Sequence, residues 1–239
     1  MLIELPAHLS GDEAVGLVVG EEIAQYELGG GRNFVYLILD WSKPAGLRSA
    51  AIVDPQSDLE GLLNDLAQHG FKLETILLTH THYDHVAGVG PLLKRDPALT
   101  IRVGADDLHR LPEGIQKASG LKTLKNGEQL RVGSIDVTAH HTPGHSAGEF
   151  CFFLAPSFSS QVYLLTGDLI FIRDCGRTDF PDGSDAQMFD SIQRVKQFSP
   201  ETILLVGHHY AKECATTLAR ELVSSPPFLC NTIEELAKL

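Results

Sequence analysis

Short apolar runs alternate with a segment of helical periodicity along the first third of the chain. The runs at 33–39, 49–53 and 75–79 are bounded by turn residues and contain β-branched side chains, which is typical of buried strands. Between the second and third runs, residues 57–69 place leucines on one helical face and end at Gly70, so they predict an amphipathic helix. This order of strand, helix and strand indicates an α/β fold.

The same kind of pattern continues through the rest of the chain. Residues 127–139 predict an antiparallel hairpin that turns at Gly133, and residues 155–160 predict a loop between two strands. Pro226 and Pro227 interrupt the last helical pattern, because proline does not continue a helix interior. The remaining predicted elements are strands 99–103, 150–154, 162–166 and 202–206, and helices 91–95, 187–198, 212–223 and 232–239.

Acidic residues outnumber basic ones, and this balance narrows the range of partners. The 239 residues include 31 Asp and Glu against 19 Lys and Arg, which gives a formal net charge of −12 at pH 7. Such an excess of negative charge does not favour binding to the phosphate backbone of nucleic acids. No apolar run approaches the roughly 18–20 residues that cross a bilayer. We therefore expect neither nucleic acid nor a membrane as a partner.

The N-terminal stretch and the cysteines bear on the compartment. The first basic residue is Arg32, so the basic segment of a secretory signal and the arginines of a transit peptide are both missing. Cys151, Cys175, Cys214 and Cys230 are far apart and form no CxxC pair. Widely spaced thiols are typical of reduced, intracellular proteins rather than disulfide scaffolds. We therefore expect a cytoplasmic protein.

Histidines are distributed unevenly, and eight of the 11 lie in three short stretches. The first stretch supplies His80, His82, Asp84 and His85, where a predicted strand ends and the chain turns into a helix. Neutral imidazole and ionised carboxylate are good metal donors, so four such groups within six residues can hold one metal ion or two adjacent ones. A buried strand rarely ends in so many titratable groups without a charge to balance them.

Three further ligand candidates follow other predicted strands. His145 comes after a Pro-Gly turn, which sets its direction and allows close backbone approach. Asp168 and His208 each follow an apolar strand, and strand ends are the usual place for functional residues in α/β proteins. His140 and His141 are weaker candidates, because either can equally lie beside the site or on the surface.

Taken in order, the motifs HxHxDH, TPGH, GD and GH resemble those of the metallo-β-lactamase superfamily over about residues 33–210. The resemblance implies one domain over residues 1–239, an αββα sandwich of two mixed sheets flanked by helices, with a short C-terminal helical extension. Asp54 matches an aspartate that supports the ligands in this family without binding metal. The implied ligands are His80, His82, His145 and Asp168 for a first metal, and Asp84, His85, Asp168 and His208 for a second, if there is one.

Residues 174–180, with the sequence Asp-Cys-Gly-Arg-Thr-Asp-Phe, resemble segments found in short members of this superfamily. They are similar to a segment of persulfide dioxygenases, which oxidise glutathione persulfide to sulfite with one ferrous ion. The resemblance therefore implies a glutathione persulfide dioxygenase, with one Fe²⁺ held by His80, His145 and Asp168. Two histidines and one carboxylate are the ligand set typical of such iron sites and leave open positions for oxygen and sulfur.

Under this prediction, three residues contact the glutathione-derived substrate. Arg177 binds a glutathione carboxylate through its planar guanidinium, unless it pairs with a neighbouring aspartate such as Asp179. Tyr210 donates a hydrogen bond to the substrate or to oxygen, and Tyr210 and Asp84 are assigned to catalysis. Cys175 lies near the substrate sulfur or is a buried structural thiol, and the sequence leaves both interpretations open.

The alternative prediction is a two-metal thioesterase similar to hydroxyacylglutathione hydrolases, the glyoxalase II type. Residues 181–184 resemble short glyoxalase II-like hydrolases that carry a similar preceding segment. This reaction uses all seven ligands, and the ions are zinc, iron or manganese, because the same donors accept each. Seven nitrogen and oxygen donors exceed the four of a closed structural zinc site, so a non-enzymatic role is disfavoured. The oligomeric state stays open, with a homodimer as one arrangement.

Overall fold

Two facing β-sheets dominate the computed structural model, which describes residues 16–20, 22–156 and 161–239. The first sheet contains seven strands that lie side by side in chain order. They are β1 Gly16–Gly20, β2 Ile23–Leu28, β3 Asn33–Leu39, β4 Arg48–Val53, β5 Phe71–Leu77, β6 Thr100–Val103 and β7 Leu121–Thr123. The pairs from β1 to β4 are antiparallel and those from β4 to β7 are parallel, so the sheet is mixed.

The second sheet contains six strands and is also mixed. They are β8 Glu128–Val132, β9 Ile135–His141, β10 Phe150–Leu154, β11 Tyr163–Gly167, β14 Ile203–Val206 and β15 Thr216–Thr217. Their spatial order is β15-β14-β11-β10-β9-β8, in which β11 and β14 pair in parallel and the other neighbours are antiparallel. Between β11 and β14 the chain forms a small hairpin of β12 Ile170–Phe171 and β13 Asp174–Cys175.

Strand β3 contributes side chains to two apolar cores, one on each face of the first sheet. All seven of its residues are buried. Side chains alternate between the two faces of a strand. Phe34, Tyr36 and Ile38 therefore pack in the core between the sheets, whereas Val35 and Leu37 pack with helices on the outer face. A strand covered on both faces is a continuous apolar run in the sequence, which makes it easy to predict.

Helices cover the outer faces of both sheets. The helices are α1 Glu60–Gln68, α2 Tyr83–Val86, α3 Val89–Arg95, α4 Glu113–Gln116, α5 Asp185–Val195, α6 Leu218–Ser224, α7 Pro226–Leu229 and α8 Ile233–Leu236, with a 3-10 helix at Ala105–Arg110. Apolar residues of α1, α3 and α4 pack on the first sheet, and those of α5 to α8 pack on the second. The layer order of helix, sheet, sheet and helix confirms the predicted αββα sandwich.

The predicted helix 212–223 is wrong in its first half. Thr216 and Thr217 form the edge strand β15, and α6 begins only at Leu218. β-Branched threonines fit a sheet edge better than a helix interior. The Oγ1 atom of Thr217 then caps α6 by accepting a hydrogen bond from the Arg220 backbone N–H at 3.3 Å.

Other differences concern element ends and unpredicted strands. Pro226 and Pro227 interrupt the chain after α6, as predicted, but they also begin α7, because proline is tolerated in the first turn of a helix. The predicted helix 232–239 shortens to α8. Strands β2 and β7 have no counterpart among the predicted strands, whereas the hairpin of β8 and β9 is confirmed.

Parts of two predictions fall outside the described residues. They are most of the loop 155–160 and the first 15 residues of the predicted domain, whose extent therefore stays a prediction. Within the described ranges, no helix combines the length and the apolar character needed to cross a membrane.

Candidate metal centre

Four loops meet at one edge of the sandwich, and each follows the carboxyl end of a strand. His80 follows β5, His145 follows β9, Asp168 follows β11 and His208 follows β14. The two sheets are joined directly here, because the Phe34 backbone N–H donates to Gly207 O at 2.8 Å. The sheet edges therefore bring motifs that are far apart in the sequence to one place.

The first group of potential ligands contains His80, His82 and His145. Their ligand nitrogens all lie within 4.8 Å of one another. His82 Nδ1 is 2.8 Å from His145 Nε2. Asp168 approaches the same group, with Oδ2 at 3.6 Å from His145 Nε2 and 4.0 Å from His80 Nε2. Three imidazoles and a carboxylate thus converge on one position.

The second group lies next to the first and contains Asp84, His85 and His208. His208 Nε2 is 3.2 Å from His85 Nε2 and 3.3 Å from Asp84 Oδ2. Asp168 reaches this group too, because its Oδ1 is 3.4 Å from His85 Nε2 and its Oδ2 is 3.3 Å from His208 Nε2. The Asp168 carboxylate therefore lies between the two groups.

Two glycines make this close packing of Asp168 possible. Gly167 has φ +53°, a conformation that glycine adopts without strain, and a Cβ there would lie 2.5 Å from Thr79 Oγ1. A Cβ at Gly207 would lie 2.1 Å from Asp168 Oδ1. The GD and GH motifs thus contain glycine because the neighbouring strand ends leave no room for a side chain.

The ring nitrogens that point away from the cluster are held by hydrogen-bonding groups. His145 Nδ1 is 2.8 Å from Arg177 O, and His208 Nδ1 is 2.8 Å from Gly31 O. His85 Nδ1 is 3.1 Å from Asp54 Oδ2. Contacts of this kind fix the orientation of a histidine ring and direct its other nitrogen toward a metal.

Asp54 lies behind the cluster, where the resemblance placed it. Its Oδ1 accepts a hydrogen bond from the Thr79 backbone N–H at 2.7 Å, and its Oδ2 accepts one from the Thr79 hydroxyl at 2.5 Å. The same hydroxyl is 3.1 Å from His80 Nδ1. A ligand atom of Asp54 also lies within 4.8 Å of those of His80 and His85. Its oxygens already contact Thr79 and the His85 ring, however, so Asp54 positions these histidines.

The donor set fits metal ions. Among the described residues, the buried atoms His80 Nε2 and Asp168 Oδ1 have no hydrogen-bond partner. A buried polar atom without a partner costs free energy, and two imidazole nitrogens at 2.8 Å do not satisfy each other unless one carries a proton. A cation held between these atoms would satisfy all of them at once.

Charge in the cluster supports the same conclusion. Burial lowers the pKa of His80 well below its ordinary value and that of His82 to about 4, so both rings are neutral at pH 7, the form that binds metal. Burial opposes a charge on His208, but hydrogen bonds to Asp168 and Asp84 outweigh it and raise its pKa to about 9. The carboxylates of the second group therefore favour positive charge beside them.

A model of the metallo-beta-lactamase superfamily matches residues 29–208, which is most of the chain. The chain belongs to the metallo-β-lactamase superfamily. This confirms the resemblance seen in the motifs, and it makes the protein a metal-dependent enzyme of this fold, a hydrolase or an oxidoreductase.

Individual members of the superfamily are similar over most of the chain. A probable polyketide biosynthesis zinc-dependent hydrolase, PksB of Bacillus subtilis (strain 168), is 32% identical over 77% of this chain and 76% of its own. A hydroxyacylglutathione hydrolase of Hamiltonella defensa subsp. Acyrthosiphon pisum (strain 5AT) is 33% identical over 74% of this chain, which spans only 63% of that protein. The crystal structure of ETHE1 from Myxococcus xanthus aligns with a TM-score of 0.75 at 26% identity, over 90% of this chain and 87% of that one.

All seven predicted ligands come together, whereas His140 and His141 lie elsewhere. The His140 ring packs edge-on against Phe198, with ring centroids 5.1 Å apart. His141 Nε2 is 2.9 Å from Ala147 O. Both weaker candidates therefore lie outside the groups that could hold a metal.

The predicted substrate residues occupy three different environments. Tyr210 is 62% exposed and stacks on the His208 ring, with centroids 4.7 Å apart, so it lies at the opening of the site. Arg177 makes two hydrogen bonds to Asp179, at 2.8 and 2.9 Å, which is the ion pair that the sequence left open. Cys175 packs with the apolar cluster under α5 and α8, and burial raises its pKa to about 12.

Two residues near the metal ligands were not predicted from the sequence. Asn33 Nδ2 donates a hydrogen bond to Asp84 Oδ2 at 2.8 Å and thereby orients that carboxylate. Phe180 packs against the rings of His82 and His145, with centroids 4.9 and 5.4 Å away. Asn33 begins a strand that the sequence predicts only as a buried structural element, and the pairing of β3, β4 and β5 brings its amide to the edge where Asp84 lies.

Proposed function

We propose that the protein is a two-metal hydrolase of thioesters, of the hydroxyacylglutathione hydrolase type. The observation that carries this proposal is the complete second ligand group, Asp84, His85 and His208, beside the first, with Asp168 between them. A one-metal reaction would not require this second group. The thioesterase, which was the alternative prediction from the sequence, is therefore the function that we put first, and the persulfide dioxygenase becomes the second candidate.

Each ligand has a definite role in this proposal. His80, His82 and His145 would hold one ion, Asp84, His85 and His208 a second, and Asp168 both. When bound, the pair of ions would supply Lewis acidity and lower the pKa of a bound water molecule. The donors accept zinc, iron or manganese, and zinc is the metal named for the relative from Bacillus subtilis.

Asp84 and Tyr210 contribute groups that reach the substrate side of the cluster. Asn33 holds one oxygen of the half-exposed Asp84 carboxylate, which leaves the other free to accept a hydrogen bond from the attacking water. Burial and the charges of Asp168 and Asp84 raise the pKa of Tyr210, so its hydroxyl keeps the proton. It would donate a hydrogen bond to the thioester carbonyl oxygen while the water oxygen adds to the carbonyl carbon. As the carbon–sulfur bond breaks, the proton that Asp84 takes from the water would pass to the sulfur, so that a thiol leaves.

Glutathione thioesters are the substrates that we propose. The hydroxyacylglutathione hydrolase of Hamiltonella defensa supports this class, although the chain spans only 63% of its length. A glutathione carboxylate would bind Arg177, whose exposed side chain would exchange Asp179 for the substrate. The Arg177 carbonyl already holds His145, so this anchor lies close to the first ligand group.

A second candidate function is a glutathione persulfide dioxygenase with one ferrous ion. It is favoured by the segment 174–180, which resembles that branch and packs tightly on the site. A Cβ at Gly176 would lie 2.0 Å from Asp168 O and 2.9 Å from His145 Nδ1. In this candidate His80, His145 and Asp168 would hold the iron, and the second group would stay free of metal.

Metal content and two substrates distinguish these functions. We expect protein purified without oxygen to contain two metal ions per chain and to hydrolyse S-D-lactoylglutathione without taking up oxygen. One iron per chain, with oxygen uptake on glutathione persulfide and no thioester hydrolysis, would overturn the proposal in favour of the dioxygenase.

For the compartment, we propose the cytoplasm. All four cysteines are free, and two of them, Cys151 and Cys230, are buried. Free thiols at these positions suit a reducing environment. Alkylation of the protein isolated from its cells under non-reducing conditions should label all four once it is unfolded.

A further inference from the structure

A cavity that none of the assigned roles uses lies beside the candidate metal centre. The cavity has a volume of about 690 Å³, and the His82 ring forms part of its wall. Helices α2, α3 and α4 supply most of the remaining wall, with Val86, Leu93 and Ile115 among the lining side chains. Pockets of this size are large enough for a small organic ligand. Because His82 belongs to the first ligand group, the cavity lies next to the place where the substrate would react.

The chemistry of the wall selects which half of a thioester can enter. Val86 and Ile115 are buried, and Leu93 is half-buried, so the wall is mainly aliphatic. The thiol half of a glutathione thioester carries two carboxylates and an ammonium group, which an aliphatic wall does not stabilise. The acyl half carries no formal charge, and transfer of its hydrocarbon chain from water to an apolar wall is favourable.

Two basic residues also line the cavity, and neither changes this preference. Arg110 is already neutralised, because its guanidinium is 2.9 Å from Asp107 Oδ1 and also contacts Asp182. Lys94 is exposed at the cavity and forms no ion pair with any described residue. A lysine in this position keeps its ammonium in water while its methylene groups extend the apolar wall.

We propose that this cavity binds the acyl chain of the thioester, so that the preferred substrates carry an apolar chain of several carbons rather than a short hydroxyacyl group. The inference rests on the proposed thioester hydrolysis and specifies its substrate class. In this arrangement the carbonyl lies at the metal ligands, the chain extends past His82 along α3, and the charged thiol half stays on the side of Arg177.

A series of substrates of increasing chain length tests the proposal. With the metal-loaded protein, kcat/KM should rise about fourfold for each methylene added from S-acetyl- through S-butanoyl- to S-octanoylglutathione, until the cavity is filled. The dissociation constants of the matching thioethers, S-methyl-, S-butyl- and S-octylglutathione, should fall by the same factor in calorimetry. The thioethers are not hydrolysed, so this second measurement does not depend on activity.

Two pairs of variants locate the effect in the cavity. Leu93 and Leu63 are half-buried leucines packed against the same apolar cluster, but only Leu93 lines the cavity. Gly114 and Gly61 are helical glycines with open space at Cβ, and only Gly114 lines it. Leu93→Gln and Gly114→Phe should reduce the preference for octanoyl over acetyl at least tenfold. Leu63→Gln and Gly61→Phe should leave that preference as in the wild type.

The outcomes separate this inference from the proposed function. Thioesters cleaved equally well at every chain length, with thioethers bound equally, would overturn the acyl-chain cavity and leave thioester hydrolysis standing. Thioethers that bind more tightly with length, in a protein that cleaves no thioester, would retain the cavity and overturn the hydrolase. An equal loss in both members of a variant pair would also contradict the assignment, because the effect would then be structural.

Discussion

At the scale of single residues, the two candidate functions differ most clearly at His208. Its Nε2 lies within 3.3 Å of ligand atoms of His85, Asp84 and Asp168, so it belongs to the second ligand group. The function of the second group can therefore be tested by one substitution. Asn33 and Arg177 can each be tested by one substitution too. The proposal uses the Asn33 amide only to position Asp84, and the Arg177 side chain only to bind the substrate.

Replacing His208 by Ala should remove the second metal and lower thioester hydrolysis at least about 100-fold. Loss of a residue that only hydrogen-bonds to a ligand already lowers metal affinity or activity about 10- to 100-fold. Metal content per chain and kcat measure the effect. His141→Ala is the control, since that ring lies outside both ligand groups. A His208→Ala protein that keeps one iron and a measurable share of oxygen uptake would instead indicate the dioxygenase.

Asn33 provides a test of how the second group is positioned. Asn33→Ala removes the hydrogen bond to Asp84 Oδ2 and should weaken binding of the second metal by about 10- to 100-fold, while the first metal is retained. Competition with a metal-binding dye would measure both affinities. Equal losses at the two positions would show that Asn33 supports the fold rather than Asp84.

Arg177→Ala should raise the KM for glutathione thioesters by about 10- to 150-fold, because one charge-assisted contact to the substrate is lost. The metal content should not change, since His145 is held by the backbone carbonyl of Arg177 and not by its side chain. Arg177→Lys should recover only part of the loss, because a point charge does not reproduce the planar fork. If KM is unaltered, Arg177 merely pairs with Asp179 in the loop.

At the scale of elements, the turn between β11 and β12 is the most constrained part of the site. Gly167 has a positive φ, and a Cβ at this position would collide with Thr79. Asp168 follows Gly167 directly. A change at Gly167 should therefore affect both the stability of the second sheet and the position of the Asp168 carboxylate.

Gly167→Ala should lower the free energy of unfolding by more than about 1 kcal/mol, because the new methyl group combines backbone strain with a collision against Thr79. It should also weaken metal binding by displacing Asp168. Urea denaturation measures the first effect and metal titration the second. Gly61→Ala in α1 is the control, where open space and the higher helix propensity of alanine predict equal or greater stability. Similar behaviour of the two variants would contradict the strained turn.

At the scale of the whole molecule, the ligands connect the two sheets. His80 and His82 belong to the loop after β5 in the first sheet, whereas His145, Asp168 and His208 follow strands of the second. A metal ion bound here would hold the two sheets together at this edge. Its free energy of binding therefore adds to the stability of the fold.

Removal of the metal should lower the melting temperature of the protein. A ligand that binds only the folded state stabilises it by about 2.7 kcal/mol at a free concentration 100 times its Kd. Calorimetry with and without a chelator should show the decrease, and added Zn²⁺ should reverse it. The melting temperature of His80→Ala should respond much less to the chelator. A wild-type protein with the same melting temperature in both conditions would contradict a metal that joins the sheets.

The sequence by itself determined the central strands and the candidate ligands that gather at one edge, because both follow from local patterns. The β3 strand is buried on both faces and is therefore a continuous apolar run, and the HxHxDH motif contains four of the seven ligands in six residues. Each remaining ligand follows a predicted strand. Since strand ends of a sandwich gather at its edge, local patterns were enough to predict the cluster.

Only the tertiary structure decided what depends on pairing between distant segments. The strand at Thr216 and Thr217 exists because β14 lies beside it, although the local sequence favoured a helix. The Asn33 amide reaches Asp84 because β3, β4 and β5 pair side by side and bring both residues to the same edge of the first sheet. The cavity beside His82 likewise arises where three separate helices pack without filling the space between them. Such features depend on contacts between residues far apart in the chain, which no local periodicity records.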